Sequence, residues 1–164
     1  MKFNLFKKVS PISIYAPVDG EIIPLEEVPD PVFSQKMIGE GAAIYPSGGK
    51  ILAPVEGKII QVAPSKHALG ILAEDGSEIL IHIGLETVSL KGEGFTALVA
   101  EGDQVSVGQP LMEVDWEFIK EHADSTVTPI VMTNGSDKQI NRTNEKTAIA
   151  GKTVIILVQQ ERRW

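Results

Sequence analysis

Lys66-His67-Ala68-Leu69-Gly70-Ile71-Leu72-Ala73-Glu74-Asp75-Gly76-Ser77-Glu78-Ile79-Leu80-Ile81-His82-Ile83-Gly84 sets two apolar runs on either side of Glu74-Asp75-Gly76-Ser77. Asp-Gly between such runs is a strong hairpin signal. Alternation along the second run turns Ile79, Ile81 and Ile83 toward a core, and Leu80, His82 and Gly84 to the other face. With Asp75 and Gly76 as a two-residue turn, Leu69 pairs with His82 and His67 with Gly84. His67 and His82 are then diagonal neighbours, with Cβ atoms about 7 Å apart or less, and Gly84 leaves room beside them for a small anion. A three-residue loop would shift the register by one and send the rings to opposite faces, so the juxtaposition depends on register.

Outward from this hairpin the punctuation continues, with 10 prolines and 15 glycines cutting the chain into short apolar runs. That pattern predicts an all-β domain. Strands are expected at residues 57–62, 68–73, 78–83, 96–100, 110–114, 130–133 and 153–159. Trp116 to Ala123 reads as two helical turns with Asp115 as N-cap, and Pro31 to Met37 as one more. Ala16-Pro17-Val18-Asp19-Gly20-Glu21-Ile22-Ile23 recurs 37 residues later as Ala53-Pro54-Val55-Glu56-Gly57-Lys58-Ile59-Ile60. This reads as one turn-and-strand unit used twice around a shared core, with chance similarity as the alternative for so short a repeat.

The 164 residues suit one domain of ordinary size, assigned to residues 11–164. No apolar run approaches the roughly 20 residues of a membrane-spanning helix. Cysteine is absent, which excludes disulfides, thiolate catalysis by this chain and sulfur-ligated zinc, and fits a reducing cytoplasm. A net charge of −7 disfavours a nucleic-acid partner. Residues 1–10 read as a loose N-terminal segment. Lys2, Lys7 and Lys8 among Phe3, Leu5 and Phe6 offer the alternative of transient contact with an anionic membrane face.

A lone histidine on a strand is ordinarily structural. Two imidazoles in an apolar setting, without a third ligand, suit a transferred phosphoryl group better than a closed metal site. One ring attacks as the neutral nucleophile, while the other hydrogen-bonds the phosphoryl oxygens. Ser65, two residues before His67, is positioned to fix that ring's tautomer; taken alone, it is an ordinary turn residue after Pro64. His122, in the polar Glu121-His122-Ala123-Asp124, reads as a surface residue.

Lys66-His67-Ala68-Leu69-Gly70-Ile71, Ile81-His82-Ile83-Gly84-Leu85-Glu86-Thr87-Val88 and Leu90-Lys91-Gly92-Glu93-Gly94-Phe95 together resemble enzyme IIA of the glucose family in the bacterial phosphoenolpyruvate-dependent sugar phosphotransferase system. Val28-Pro29-Asp30-Pro31-Val32-Phe33 and Thr128-Pro129-Ile130-Val131 extend the similarity to most of the chain. The resemblance implies a compact antiparallel β-sandwich or barrel with duplicated hybrid topology and one or two short helical turns. It implies a phosphotransferase component acting through a phosphohistidine, with no intrinsic cofactor and no metal. His82 would accept phosphate on Nε2 from the histidine-containing carrier HPr and pass it to a cysteine of the IIB domain of a sugar permease (IICB). His67 would contact the phosphoryl group, and Ser65 takes the place of a hydroxyl residue that hydrogen-bonds His67.

Val32, Phe33, Ile38, Leu69, Leu80 and Val88 match the family's apolar docking rim, with Glu86 beside them where aspartate is usual. Leu69 stands where phenylalanine is common, and Ala63 where an aromatic residue often sits, so partner preference is expected to differ. Two other readings compete. A regulatory module would bind further proteins according to the phosphorylation of His82. A zinc peptidase on a related duplicated fold would need a further ligand at metal-site spacing, and no His-x-His occurs. A lipoyl or biotinyl carrier lacks its lysine in a tight turn.

Overall fold

The computed structural model describes residues 11–160; the expected N-terminal segment lies outside them. The short apolar runs become strands β1 (Ile12–Tyr15), β2 (Asp19–Pro24), β3 (Glu40–Gly48), β4 (Ile51–Leu52), β5 (Gly57–Val62), β6 (Ala68–Ala73) and β7 (Glu78–His82). They continue as β8 (Phe95–Ala97), β9 (Gln104–Val105), β10 (Pro110–Val114), β11 (Thr128–Met132), β12 (Lys138–Arg142), β13 (Thr147–Ala148) and β14 (Val154–Gln160). Two helices interrupt them, α1 (Pro31–Ser34) and α2 (Trp116–His122), with 3-10 turns at Leu25–Glu27 and Thr87–Leu90.

The expected all-β class is what forms. Asp115 caps α2 as its composition predicts, Oδ1 accepting from the Phe118 amide at 3.1 Å. Helix α1 stops sooner than expected, because Lys36 adopts a left-handed φ of 57° and turns the chain. Strand β3 escapes the propensity reading. Its first half is Glu-Gly-Ala-Ala and Pro46 sits inside it, poor strand material that is held by pairing with β2 on one side and β11 on the other. Pro46 is tolerated where the β2–β3 register shifts, between Asp19 and Gly20.

The repeat is structural. The largest sheet runs β13-β2-β3-β11-β7-β6-β5-β9, a symmetric order in which the strands of the two copies, β2 and β5, occupy corresponding places. Gly20 pairs with Ala148 of β13 and Gly57 with Val105 of β9. The copies also embrace reciprocally: the Tyr15 amide donates to the Pro54 carbonyl at 2.9 Å, and the Leu52 amide to the Pro17 carbonyl at 2.8 Å. Ala16 and Ala53, equivalent in the repeat, are both fully buried. Two sheets of three strands, β1-β14-β12 and β4-β10-β8, complete the fold.

The main core gathers Ile44, Ile59, Ile71, Ile79, Ile81 and Ile130 from the large sheet with Ile14, Leu111 and Ile156 from the small ones. On the opposite face of the central strands, Ile23, Ala43 and Val131 meet Leu25, Phe33 and Leu85 in a second cluster, against which Ile38 and Leu80 pack. The central strands are therefore covered on both faces, and the site lies beside the smaller cluster.

The hairpin register departs from expectation. Leu69 pairs with Ile81 and Ala68 with His82, which is the three-residue alternative. The Ala73 amide donates to the Ser77 carbonyl at 2.8 Å across Glu74-Asp75-Gly76, and Gly76 takes φ 89°, a common three-residue hairpin geometry. Long-range contacts hold this turn. Asn134 accepts from the Glu78 amide at 2.8 Å and donates to the Gly76 carbonyl at 2.8 Å, while the Lys138 ammonium donates to Ser77 Oγ at 3.1 Å.

Candidate active site

His82 ends β7 on the face shared with Leu80, as alternation requires, and Ile79, Ile81 and Ile83 are buried behind it. The chain then turns through Gly84 at φ 74°, bringing the Gly84 carbonyl within 2.8 Å of His82 Nδ1. A carbonyl only accepts, so the proton is on Nδ1 and the Nε2 lone pair is free. No side chain fits at Gly84: a Cβ there would lie 2.7 Å from Thr87 Cγ2 and 2.9 Å from the Ser125 carbonyl. The open space expected at Gly84 is therefore filled by these two residues, and His67 lies opposite Ile83, whose amide donates to the His67 carbonyl at 2.7 Å.

The observed register would send His67 into the core with Leu69, yet the rings meet. Their centroids are 5.1 Å apart at 78°. His67 escapes alternation because it precedes β6 in a bend: Lys66 has φ 60°, and its amide donates to the Ala63 carbonyl at 2.7 Å. The expectation that a three-residue loop separates the rings is thus overturned, since the ladder ends one residue short of His67. The expected Ser65 bond is not made; His67 Nδ1 is buried and has no hydrogen-bond partner among the described residues.

Burial pushes both imidazoles below the ordinary histidine value. At His67 the neighbouring His82 adds to the effect. At His82 burial outweighs the opposing pull of the Gly84 carbonyl and of the carboxylates of Asp30 and Glu86. Both rings are neutral at pH 7, the state that a nitrogen nucleophile needs.

Around them stands a mixed rim. Val32 and Val88 are exposed and Leu80 and Ile38 half-buried. Leu69 is fully buried in the main core, so its expected place on the rim is corrected: the observed register turns it inward with Ile71 and Ile81. Phe33 is also buried, its ring centroid 5.1 Å from that of His82, and it forms an apolar wall beside that imidazole. Glu86 is exposed, in a left-handed conformation with φ 60°. Asp30 is a site residue that the sequence reading misses, although the Asp-Pro helix start signals it; its Oδ1 caps α1 by accepting from the Val32 amide at 3.0 Å and its charge reaches His82. His122 is exposed, stacked on Phe118 with Nδ1 2.9 Å from the Phe118 carbonyl.

Two neutral rings beside an apolar wall, one with an oriented free nitrogen, are chemically able to accept and release an electrophilic group. Comparison with known proteins gives the class. The family model of the phosphoenolpyruvate-dependent sugar phosphotransferase system, EIIA 1, matches residues 12–138. The chain belongs to this family. It is 52% identical over 147 residues to the glucose-specific EIIA component of Halalkalibacterium halodurans, covering 89% of this chain and 85% of that protein. It is 56% identical over 127 residues to the glucoside-specific EIICBA component of Staphylococcus carnosus, covering 77% of this chain and 18% of that much longer protein. Among solved structures, the glucose permease IIA of Mycoplasma capricolum superposes with a TM-score of 0.85 at 38% identity, covering 96% of this chain and 99% of that one.

Proposed function

We propose that this phosphotransferase component carries the phosphoryl group on His82 Nε2. The observation that carries the reading is the 2.8 Å contact of His82 Nδ1 with the Gly84 carbonyl, which leaves Nε2 as the free nucleophile. Its lone pair attacks phosphorus on the phosphohistidine of HPr, and the donor's P–N bond breaks with its electron pair returning to the donor ring. The charge acquired by the His82 ring is shared with the Gly84 carbonyl through the retained Nδ1 proton. Once the group is on His82, His67 donates a hydrogen bond to the phosphoryl oxygens and steadies them as the group departs. In the second step a cysteine thiolate of a IIB domain attacks phosphorus and the P–Nε2 bond breaks toward His82.

Relatives in which this domain is part of an EIICBA chain support a IIB domain as receiver. Val32, Val88 and the half-buried Leu80 and Ile38 form the docking face for donor and receiver in turn, with Glu86 at its edge. No helix among the described residues is long and apolar enough to cross a membrane; a receiving IIB domain, as in the EIICBA relatives, would put the transfer at the cytoplasmic face of a permease.

The test is reconstitution with phosphoenolpyruvate, enzyme I, HPr and a IIB domain. His82→Ala is expected to accept no phosphate, and His67→Ala to accept it while passing it on at least about 100-fold more slowly, the scale of one lost transition-state donor. Wild-type phosphorylation of His82→Ala would overturn the assignment.

A further inference from the structure

We propose that Met37 is a peroxide-sensitive site whose oxidation to the sulfoxide weakens docking of protein partners beside His82, an inference that rests on the docking reading above. The chain has four methionines and no cysteine, so thioethers are its only sulfur. Met112 and Met132 are sealed in the core at 0% and 1% exposure, whereas Met37 stands 69% exposed. It is also more exposed than any other large apolar side chain among the described residues.

Its place makes that exposure consequential. The Met37 amide donates to the Val32 carbonyl at 3.1 Å, which sets it against one exposed rim residue, and the next residue, Ile38, packs on the cluster holding Phe33, the wall of His82. The preceding Lys36 is held between Glu26 at 3.1 Å and Glu40 at 2.8 Å. Met37 is therefore an exposed residue on a held turn that adjoins Val32 and Ile38 of the apolar face. An unbranched, polarizable side chain there adapts to more than one partner surface.

The chemistry needs only hydrogen peroxide. A sulfur lone pair attacks one peroxide oxygen and the O–O bond breaks. Sulfur is oxidised by two electrons, and the departing oxygen takes up the proton left by the transferred one and leaves as water. The product carries a strong hydrogen-bond acceptor where a partner would bury an apolar tip, and methionine sulfoxide reductases reverse it.

The experiment treats the full chain with hydrogen peroxide, maps the oxidised residues by peptide mass and measures phosphoryl acceptance from phospho-HPr. Oxidation of Met37 is expected to raise the KM for phospho-HPr about fivefold with kcat little changed, and methionine sulfoxide reductase to restore it. Met37→Leu, compared with its own untreated sample, should keep its KM through the same treatment, which separates Met37 from oxidation at Met1. Full Met37 sulfoxide with an unchanged KM, or an equal loss in Met37→Leu, would overturn the proposal. Val88→Asp, untreated and run alongside, reports on the docking reading: an unchanged KM there overturns that reading and this inference with it, whereas an impaired Val88→Asp beside an unimpaired oxidised wild type overturns the inference alone.

Discussion

The proton on His82 Nδ1 decides what the ring does. Held by the Gly84 carbonyl, it leaves the lone pair of Nε2 uncommitted, and burial against Phe33 disfavours the imidazolium. The ring therefore stays neutral to a lower pH than a free imidazole. Titration followed by NMR is expected to place the His82 midpoint below the ordinary 6.5. Asp30→Asn or Glu86→Gln should move it lower still, because each removes an anion that favours the charged ring; a midpoint above 6.5 would contradict the geometry. The linkage to folding has a definite sign. Below 6.5 the unfolded chain binds protons that the folded rings resist, so these two histidines withdraw stability as the pH falls from 6.5 toward their lowered folded values. Glu26 acts in a different window. Its carboxyl is held down to about 2 by Arg142 and, less strongly, Lys36. Its contribution is complete above its ordinary 4.5 and is lost as the pH falls toward 2, and it is modest because the group is largely exposed.

A hairpin and a short helix bring the site together, and each is pinned from outside. Helix α1 has only four residues, too few to persist alone. It is held by the Asp30 cap, by Phe33 in the second cluster and by the Lys36 bridges. The β6–β7 hairpin is pinned at its tip. Lys138 and Asp75 keep side-chain exposures of only 6% and 8%, with Nζ 3.7 Å from Oδ2. Lys138→Met leaves the Asp75 carboxylate buried without its cation and is expected to cost about 2–4 kcal/mol in chemical denaturation, less than a fully orphaned charge because Ser77 still donates to it. Asp75→Asn in the Lys138→Met background should recover part of that loss. A double variant no more stable than the single one would show that the pair does not carry the turn.

Duplication gives the molecule its frame. The two copies of the Ala-Pro-Val-acid-Gly unit lie far apart in the order of one sheet, and in each the glycine faces a carbonyl of the adjacent strand. A Cβ on Gly57 would fall 2.3 Å from the Leu72 carbonyl oxygen, and one on Gly20 2.0 Å from that of Tyr45. These are backbone atoms of paired strands, so relief requires the sheet itself to move. Gly20→Ala and Gly57→Ala are each expected to destabilise by about 2–3 kcal/mol. Because the sites share no partner, the double variant should show the sum within about 0.5 kcal/mol. Thermal and denaturant unfolding would measure both, and a neutral Gly57→Ala would break the equivalence of the copies.

Local chemistry makes much of this protein legible in its sequence. Proline and glycine punctuation marks the all-β class, period-two alternation turns His82 away from three buried isoleucines, Asp115 marks its helix, and the repeat marks the frame. These are short-range effects, carried by neighbouring residues whatever the rest of the chain does. Strand β3, the hairpin register, the inward turn of Leu69 and the approach of His67 to His82 are not legible in the same way. A Gly-Ala segment becomes a strand only when β2 and β11 flank it. A two- and a three-residue loop through Asp75-Gly76 are locally close alternatives, so contacts from Asn134 and Lys138, more than fifty residues away, select between them. The imidazole pair forms because a left-handed Lys66 ends strand alternation just before β6, a break that no periodicity in the sequence encodes.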